Sequence, residues 1–262
     1  MRNEYAAKYN LLVKKEKPRH KSDMNPVRTL QSFASRTAWL SSLTGGPVSA
    51  AGYLIAARFQ GHKLGRAAYG GRAFQFRTRD MQSLQDILIK HHYAFLIPYL
   101  EELRHAPRIV ELGAGIGAFS LWAFGAQSDI HIYALEADAD AYDILRQNHA
   151  FNPNLAWHLR HAAATNGKGH DTDAPAMTFS EIVDDCGFTD IDLMKLDLGG
   201  IKLSFLAGEP QMLNRVRRLI IELDPVEWDE AALRDILTQY FNQIDERPAS
   251  QPDRILLDCQ KL

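Results

Sequence analysis

Cysteine is scarce: Cys186 and Cys259 are the only two in 262 residues. Two thiols are too few for a disulfide framework or a thiolate metal cage, and they fit a reduced, intracellular setting. Long apolar runs are also missing, and none approaches the ~20 residues that a membrane-spanning helix needs. The opening MRNEYAAKYNLLVKKEK lacks the apolar stretch of a secretion signal. A soluble, cytoplasmic protein without a membrane span is therefore expected. Net charge is only −2, which gives the whole chain little attraction for polyanions, so no nucleic-acid partner is expected. Internal repeats, a Walker loop and a G-x-S-x-G elbow are absent, and no His/Cys/Asp cluster has metal-ligand spacing, so no metal is assigned. Asp197, Glu222 and Asp224, at the ends of two strands, make only a faint cation site.

What charge there is lies unevenly. Residues 1–37 hold nine Lys/Arg against three Asp/Glu and read as a basic, flexible arm that could touch nucleic acid or anionic lipid. Residues 38–104 read as a helical segment, a hairpin and a helix that precedes the core. The segment WLSSLTGGPVSAAGYLIAARFQ is apolar but interrupted by Gly45, Gly46 and Pro47, which suggests two short helices. Alternation of Phe74 and Phe76 with polar neighbours around Tyr69-Gly70-Gly71 suggests a β-hairpin. Asp80 is placed to cap a helix over MQSLQDILIKHHYAFL, with Pro98 kinking or dividing it.

From residue 105 onward, strands alternate with helices: RIVELG, DIHIYALE, LAWHLRHAA, IDLMKLDL and RRLIIELDP are the strands. Alternation of this kind implies crossover connections and a doubly wound parallel sheet of α/β class. Two closing strands, NQIDER and DRILLDCQ, have no helix between them and should pair antiparallel, giving seven strands, mostly parallel.

In such a sheet, ligands bind beyond the carboxyl end of the leading strand. There the stretch RIVELGAGIGAFS carries Gly113, Gly115 and Gly117. Glycines let a backbone turn sharply and approach a ligand closely. They do not choose the ligand, because Gly113-x-Gly115-x-x-Ala118 also satisfies a relaxed dinucleotide fingerprint. Glu111, two residues before Gly113, would repel a pyrophosphate and favours a ligand with a sulfonium and an ammonium, as in S-adenosyl-L-methionine. Glu136, closing the second strand, suits the two ribose hydroxyls of either cofactor.

VELGAGIGAFSLWA, IYALEADADAYDILRQNHAFN, the HAAATNGKG turn and IDLMKLDLGGIKLSFLAG together resemble the FkbM family of S-adenosylmethionine-dependent methyltransferases, from about Ala73 to Pro225. The resemblance implies a class I methyltransferase Rossmann-like fold with an N-terminal helical and hairpin extension. It implies S-adenosyl-L-methionine as cofactor and methylation of a hydroxyl on a small metabolite, sugar, glycan or polyketide-type product. By the same resemblance, Glu111, Gly113, Ala114, Gly115 and Gly117 match the cofactor loop, Glu136 the ribose-binding acid, and Ala162 and Ala163 the adenine border. The family's fourth strand ends in Asp-Val-Glu-Gly-Ala-Glu. Here it reads Asp197-Leu198-Gly199-Gly200-Ile201-Lys202, so both glutamates are replaced.

Asp197 is the first candidate for a catalytic base, with anchoring of the methionine amine as its alternative role. His91, His92 and Tyr93 are candidates for the substrate mouth or for plain helix-end polar groups. His161 reads as a strand residue satisfied by a loop, and Asp138-x-x-x-Tyr142 as ordinary helix surface. Two other functions stay open: a non-catalytic binding module on the same fold, and an NAD(P)-dependent oxidoreductase.

Overall fold

A computed structural model of the chain describes residues 26–60, 64–167, 173–223, 229–249 and 254–261. Two helices, α1 (Pro26–Thr44) and α2 (Pro47–Gln60), break at Gly45-Gly46, where φ is 78° and 135°. α1 starts within the segment assigned to the basic arm, so ordered structure begins earlier than residue 38; residues 1–25 lie outside the described part. The hairpin is present as β1 (Gly65–Tyr69) and β2 (Arg72–Phe76), turning at Gly70-Gly71.

The helix that follows differs from expectation. Asp80 does not cap it: its carboxylate accepts the Arg77 backbone N–H at 2.7 Å and grips the Arg77 guanidinium. The helical segment α3 (Met81–Leu84) passes into a wider turn over Gln85–Ile89 and stops at His91, whose φ of 52° is left-handed. Pro98 breaks nothing; it sits in the first turn of α4 (Ile97–Glu102), where a missing N–H has no cost. The interruption falls before it, at His91.

The core is an α/β doubly wound sheet. β3 (Arg108–Leu112), α5 (Ala118–Ala126), β4 (His131–Glu136), α6 (Ala139–Ala150), β5 (Ala156–His161), α7 (Phe179–Cys186), β6 (Ile191–Leu196), α8 (Lys202–Gly208), β7 (Val216–Leu223), α9 (Glu230–Leu237), β8 (Gln243–Pro248) and β9 (Ile255–Gln260) follow in order. The seven strands lie in the order β8-β9-β7-β6-β3-β4-β5. β3 to β7 are parallel, and β9 inserts antiparallel between β7 and β8. A buried cluster pins that insertion: Asp258 of β9 accepts from Arg218 of β7 at 2.8 and 2.7 Å and from Arg247 of β8 at 2.7 Å.

Both faces of the sheet are covered, which is why the inner strands β3, β4, β6 and β7 are buried nearly throughout instead of alternating. Val110, Tyr133 and Met194 pack under α7, α8 and α9 with Phe179, Phe205 and Leu233. Ile109, Ile132 and Leu193 face α5 and α6, and the N-terminal extension shares this core through Leu40, Tyr53, Phe74 and Phe76. Asn148 of α6, fully buried, joins the two parts. It accepts the Gln75 N–H of β2 at 2.6 Å and donates to the Gln75 and Ile116 carbonyls at 3.1 and 2.9 Å. The extension is thereby bonded to the glycine loop itself.

Candidate functional site

β3 and β6 lie side by side where the chain order reverses, the position where an open α/β sheet forms a crevice. At the end of β3, Gly113, Gly115 and Gly117 take left-handed φ values of 80°, 57° and 88°, and each does a different job. A Cβ on Gly113 would lie 2.1 Å from the backbone oxygen of Asp197, so here the ends of β3 and β6 touch backbone to backbone. A Cβ on Gly115 would meet nothing within 4 Å; it opens on a cleft of about 280 Å³. Gly117 is turned away from that cleft, against Trp157 and Leu145, and serves to start α5.

One wall of the cleft is Glu111, Gly113, Ala114, Gly115 and Asp197. The opposite wall comes from α3 and the turn after it, through Ser83, Asp86 and Tyr93. Charge is concentrated at the base, where Glu111 (β3), Lys195 (β6) and Glu222 (β7) come from adjacent strands and are 1%, 3% and 6% exposed. Burial pushes the Glu111 carboxyl up to about 7, against the pull of Lys195 and of the Ser120 hydroxyl that donates to it. The Lys195 ammonium lies 3.4 Å from Asp197 Oδ2. Burial disfavours that charge, yet Asp197, Glu111 and Glu222 together hold the ammonium above the usual lysine value. Burial also works against an ionised Asp197, but Lys195 first, then Lys202 and Arg254, outweigh it and leave the carboxyl below its ordinary range. Asp197 is thus a charged group at neutral pH.

Tyr93 reaches the site because the chain reverses at His91. Its ring is fully buried and its hydroxyl donates to Glu222 Oε1. Burial foremost, then the Glu222 charge, raises the phenol well above 10.0, so it stays a neutral donor. His92 Nε2 and Arg254 Nη1 each stand 3.9 Å from the same carboxylate. Burial lowers the His92 pKa despite Glu222, and its Nε2 has no hydrogen-bond partner. His91 remains on the surface.

Glu136 lies beneath the loop: Oε2 accepts the Gly115 N–H at 2.6 Å and Oε1 the Asp138 N–H at 2.7 Å. Each oxygen keeps a further lone pair for a ligand hydroxyl. Ala162 lines a second hollow of about 770 Å³ along β5, with Tyr142 and His161, while Ala163 is buried and bridged to Ala176. The His161 ring stacks on Tyr142 at 4.7 Å and its Nε2 is 3.3 Å from the Ala137 carbonyl. Asp138 is not free helix surface: it caps α6, accepting the Ala141 N–H at 2.7 Å. Where the family has its two glutamates, Gly199 takes a φ of 46° and the buried Lys202 donates to the Gly199 carbonyl at 3.0 Å.

Lys195 was not among the residues singled out from sequence, although a lysine inside the apolar run IDLMKLDL is the one signal that marks it. Tyr93 and Glu222 carried only weak signals, since nothing local announces that they meet. Among the described residues, no group of three His, Cys, Asp or Glu side chains converges as a metal site, and Asp224 lies outside them.

The residues fit a cationic nucleoside in two ways: Gly115 leaves room against the loop backbone, and a buried carboxyl with a value near 7 sits below it. Among the described residues, the cleft is lined by five carboxylates (Asp80, Asp86, Glu111, Asp197 and Glu222) against three cations, a poor surface for a diphosphate.

No family model matches the sequence, and no curated protein matches it. Solved structures align with it in part. A precorrin-6y C5,15-methyltransferase from Geobacter metallireducens aligns with a TM-score of 0.46 at 15% identity, covering 64% of this chain and 86% of its own. Magnesium protoporphyrin IX methyltransferase from Synechocystis, with bound S-adenosylmethionine, aligns at 0.46 and 14% identity, over 70% and 83%. The N-terminal domain of human METTL16, in complex with S-adenosylhomocysteine, aligns at 0.46 and 12%, over 68% and 70%.

Proposed function

We propose that this chain is an S-adenosyl-L-methionine-dependent methyltransferase of the FkbM type, acting on a hydroxyl of a small metabolite, sugar, glycan or polyketide-type product. The observation that carries the reading is the crevice at the sheet's switch point, opened by Gly115 above the buried Glu111. Bound there, S-adenosyl-L-methionine supplies an activated methyl group on a sulfonium that leaves as a neutral thioether.

The chain's part is to hold and align. Glu111 offers a carboxylate to the cationic end, Glu136 accepts from the ribose, and Ala162 with Ala163 borders the adenine. Alignment of two reactants is worth ~7–11 kcal/mol, the larger share of what such a site must supply. Asp197, kept ionised by Lys195, takes the proton of the acceptor hydroxyl. Ser83, Asp86, Ile87 and Tyr93, from the segment before the core, line the same cleft.

Titration calorimetry with S-adenosylhomocysteine tests the reading. Binding is expected, and none with NAD⁺; the reverse result overturns it. A cation seated against Glu111 favours its ionised form, so affinity is expected to rise with pH through about 7, with proton release near that pH. Glu136→Ala should weaken binding by roughly 1.5–3 kcal/mol, and an unchanged dissociation constant removes Glu136 from the site.

The replacement of both family glutamates by Gly199 and Lys202 favours one second reading, a binding module that keeps the cofactor and transfers nothing. It predicts S-adenosylhomocysteine affinity without methyl transfer from labelled S-adenosylmethionine to hydroxylated acceptors.

A further inference from the structure

From Met24 to Arg79 the sequence contains no Asp or Glu, and it contains eight Lys/Arg. The same stretch carries four of the six large hydrophobic side chains that stand exposed among the described residues: Val48, Ile55, Phe59 and Leu64. Val48, Ile55 and Phe59 are 85%, 51% and 80% exposed, and with the exposed Gly52 they recur along one face of α2. The opposite face is anchored: Ala50 and Tyr53 are buried, the Tyr53 ring lies 4.9 Å from Phe76, and its hydroxyl is 3.1 Å from Thr78 Oγ1. α2 is thus a firmly seated helix that turns an apolar stripe outward.

The same acid-free stretch also carries exposed arginines. Arg77 and Arg79 are paired with Asp80 and Asp138, but Arg36, Arg58 and Arg66 have no ion pair among the described residues. Arg58 stands beside Phe59, on the flank of the stripe. Apolar side chains bordered by unpaired cations suit a surface that is oily and negative at once. The remainder of the chain sharpens the match. From Asp80 onward it carries 29 Asp/Glu against 15 Lys/Arg, so the chain's excess of positive charge lies in the part of the sequence that bears the stripe.

We propose that the outer face of α2 docks on an anionic lipid bilayer, with Val48, Ile55 and Phe59 entering the headgroup layer and Arg58 meeting lipid phosphates. The contact is peripheral, and no described helix is long and apolar enough to cross a membrane. A second copy fits less well, because two-fold pairing of this face sets arginine rims against each other with no acid between them. Nucleic acid fits less well too, because single strands stack on aromatic platforms and the centre of this stripe is aliphatic. The inference holds whichever cofactor the cleft takes.

The test is co-sedimentation of the full chain with vesicles of phosphatidylcholine alone and of phosphatidylcholine mixed with phosphatidylglycerol. Binding is expected to the mixed vesicles only, and to weaken as salt is raised. The triple variant Val48→Ser, Ile55→Ser, Phe59→Ser should keep its thermal midpoint and lose binding, and the single variant Phe59→Ser should lose part of it. Replacing Arg58 by Gln should weaken binding about fivefold, since each cation near such a surface is worth about that factor. Sedimentation with neither vesicle type, or equally with both, overturns the proposal. So does binding to RNA without binding to vesicles, or a dimer in light scattering that the serine variant disperses.

Discussion

The two walls of the cleft are built on different principles. The sheet wall, from Glu111 to Gly115 and at Asp197, begins as a local device: a strand ends, glycines turn, and a helix begins. The turn itself lies within a few positions of the chain, although Gly113 is also required by the Asp197 backbone on the neighbouring strand. The facing wall, from Ser83 to Tyr93, is a long-range device. Its helix stops at His91, which is no helix breaker by composition, and Tyr93 gains its place by reaching Glu222, a residue 129 positions away. The first wall was readable from spacing alone, whereas the second existed only once the strands had been assembled.

Substitutions on each wall can break or sharpen that contrast. The largest effect is expected at Gly113→Ala, where a left-handed φ of 80° and a 2.1 Å approach to the Asp197 oxygen leave no room for a methyl group. A loss of at least about 3 kcal/mol in urea unfolding is expected. A loss below about 1 kcal/mol would show that the two strand ends can separate.

Glu111→Gln comes next. The folded carboxyl sits at about 7 against an ordinary 4.5, so the native chain binds more protons than the unfolded chain between those values. Its stability contribution is present below about 4.5 and is lost as pH rises through about 7. The amide variant should flatten this slope and be more stable at about pH 8 by about 2 kcal/mol. An unaltered slope in denaturation across that range would show that Glu111 does not titrate there.

On the facing wall, Tyr93→Phe removes one donor from a buried carboxylate and should cost about 1–2 kcal/mol in the same unfolding measurement. S-adenosylhomocysteine affinity should change less than with Glu136→Ala; a larger change would move Tyr93 into the cofactor's contacts. His91→Gly should have the smallest effect. It relieves the left-handed strain of φ 52° and should stabilise by up to about 1 kcal/mol. A clear destabilisation would mean that the His91 side chain itself holds the break.

Much of the architecture was legible because it is periodic. The parallel strands and the helices between them appear where apolar spacing places them, and the closing pair is antiparallel as the missing crossover requires, while the strand order came from the structure. What escaped was polar and non-local. Asp80 carries the mark of a helix cap, but a nearby Arg77 and its free N–H made a better partner. Asn148 looks like any polar residue of a helix, yet three buried hydrogen bonds to two other elements depend on it. Gly117 belongs to the glycine pattern by spacing, and only its contact with Trp157 shows that it faces the core instead of the cleft.

The amino-acid order by itself determined where strands and helices lie, and that a glycine turn follows an acid at the head of the leading strand. Backbone sterics and apolar periodicity act over a few residues and are written directly in the chain. Tertiary structure alone decided the electrostatics of the site. Glu111, Lys195 and Glu222 acquire their charge states from burial and from one another, on strands that meet only when the sheet closes. Desolvation is a property of the assembled volume, and no spacing in a sequence records it.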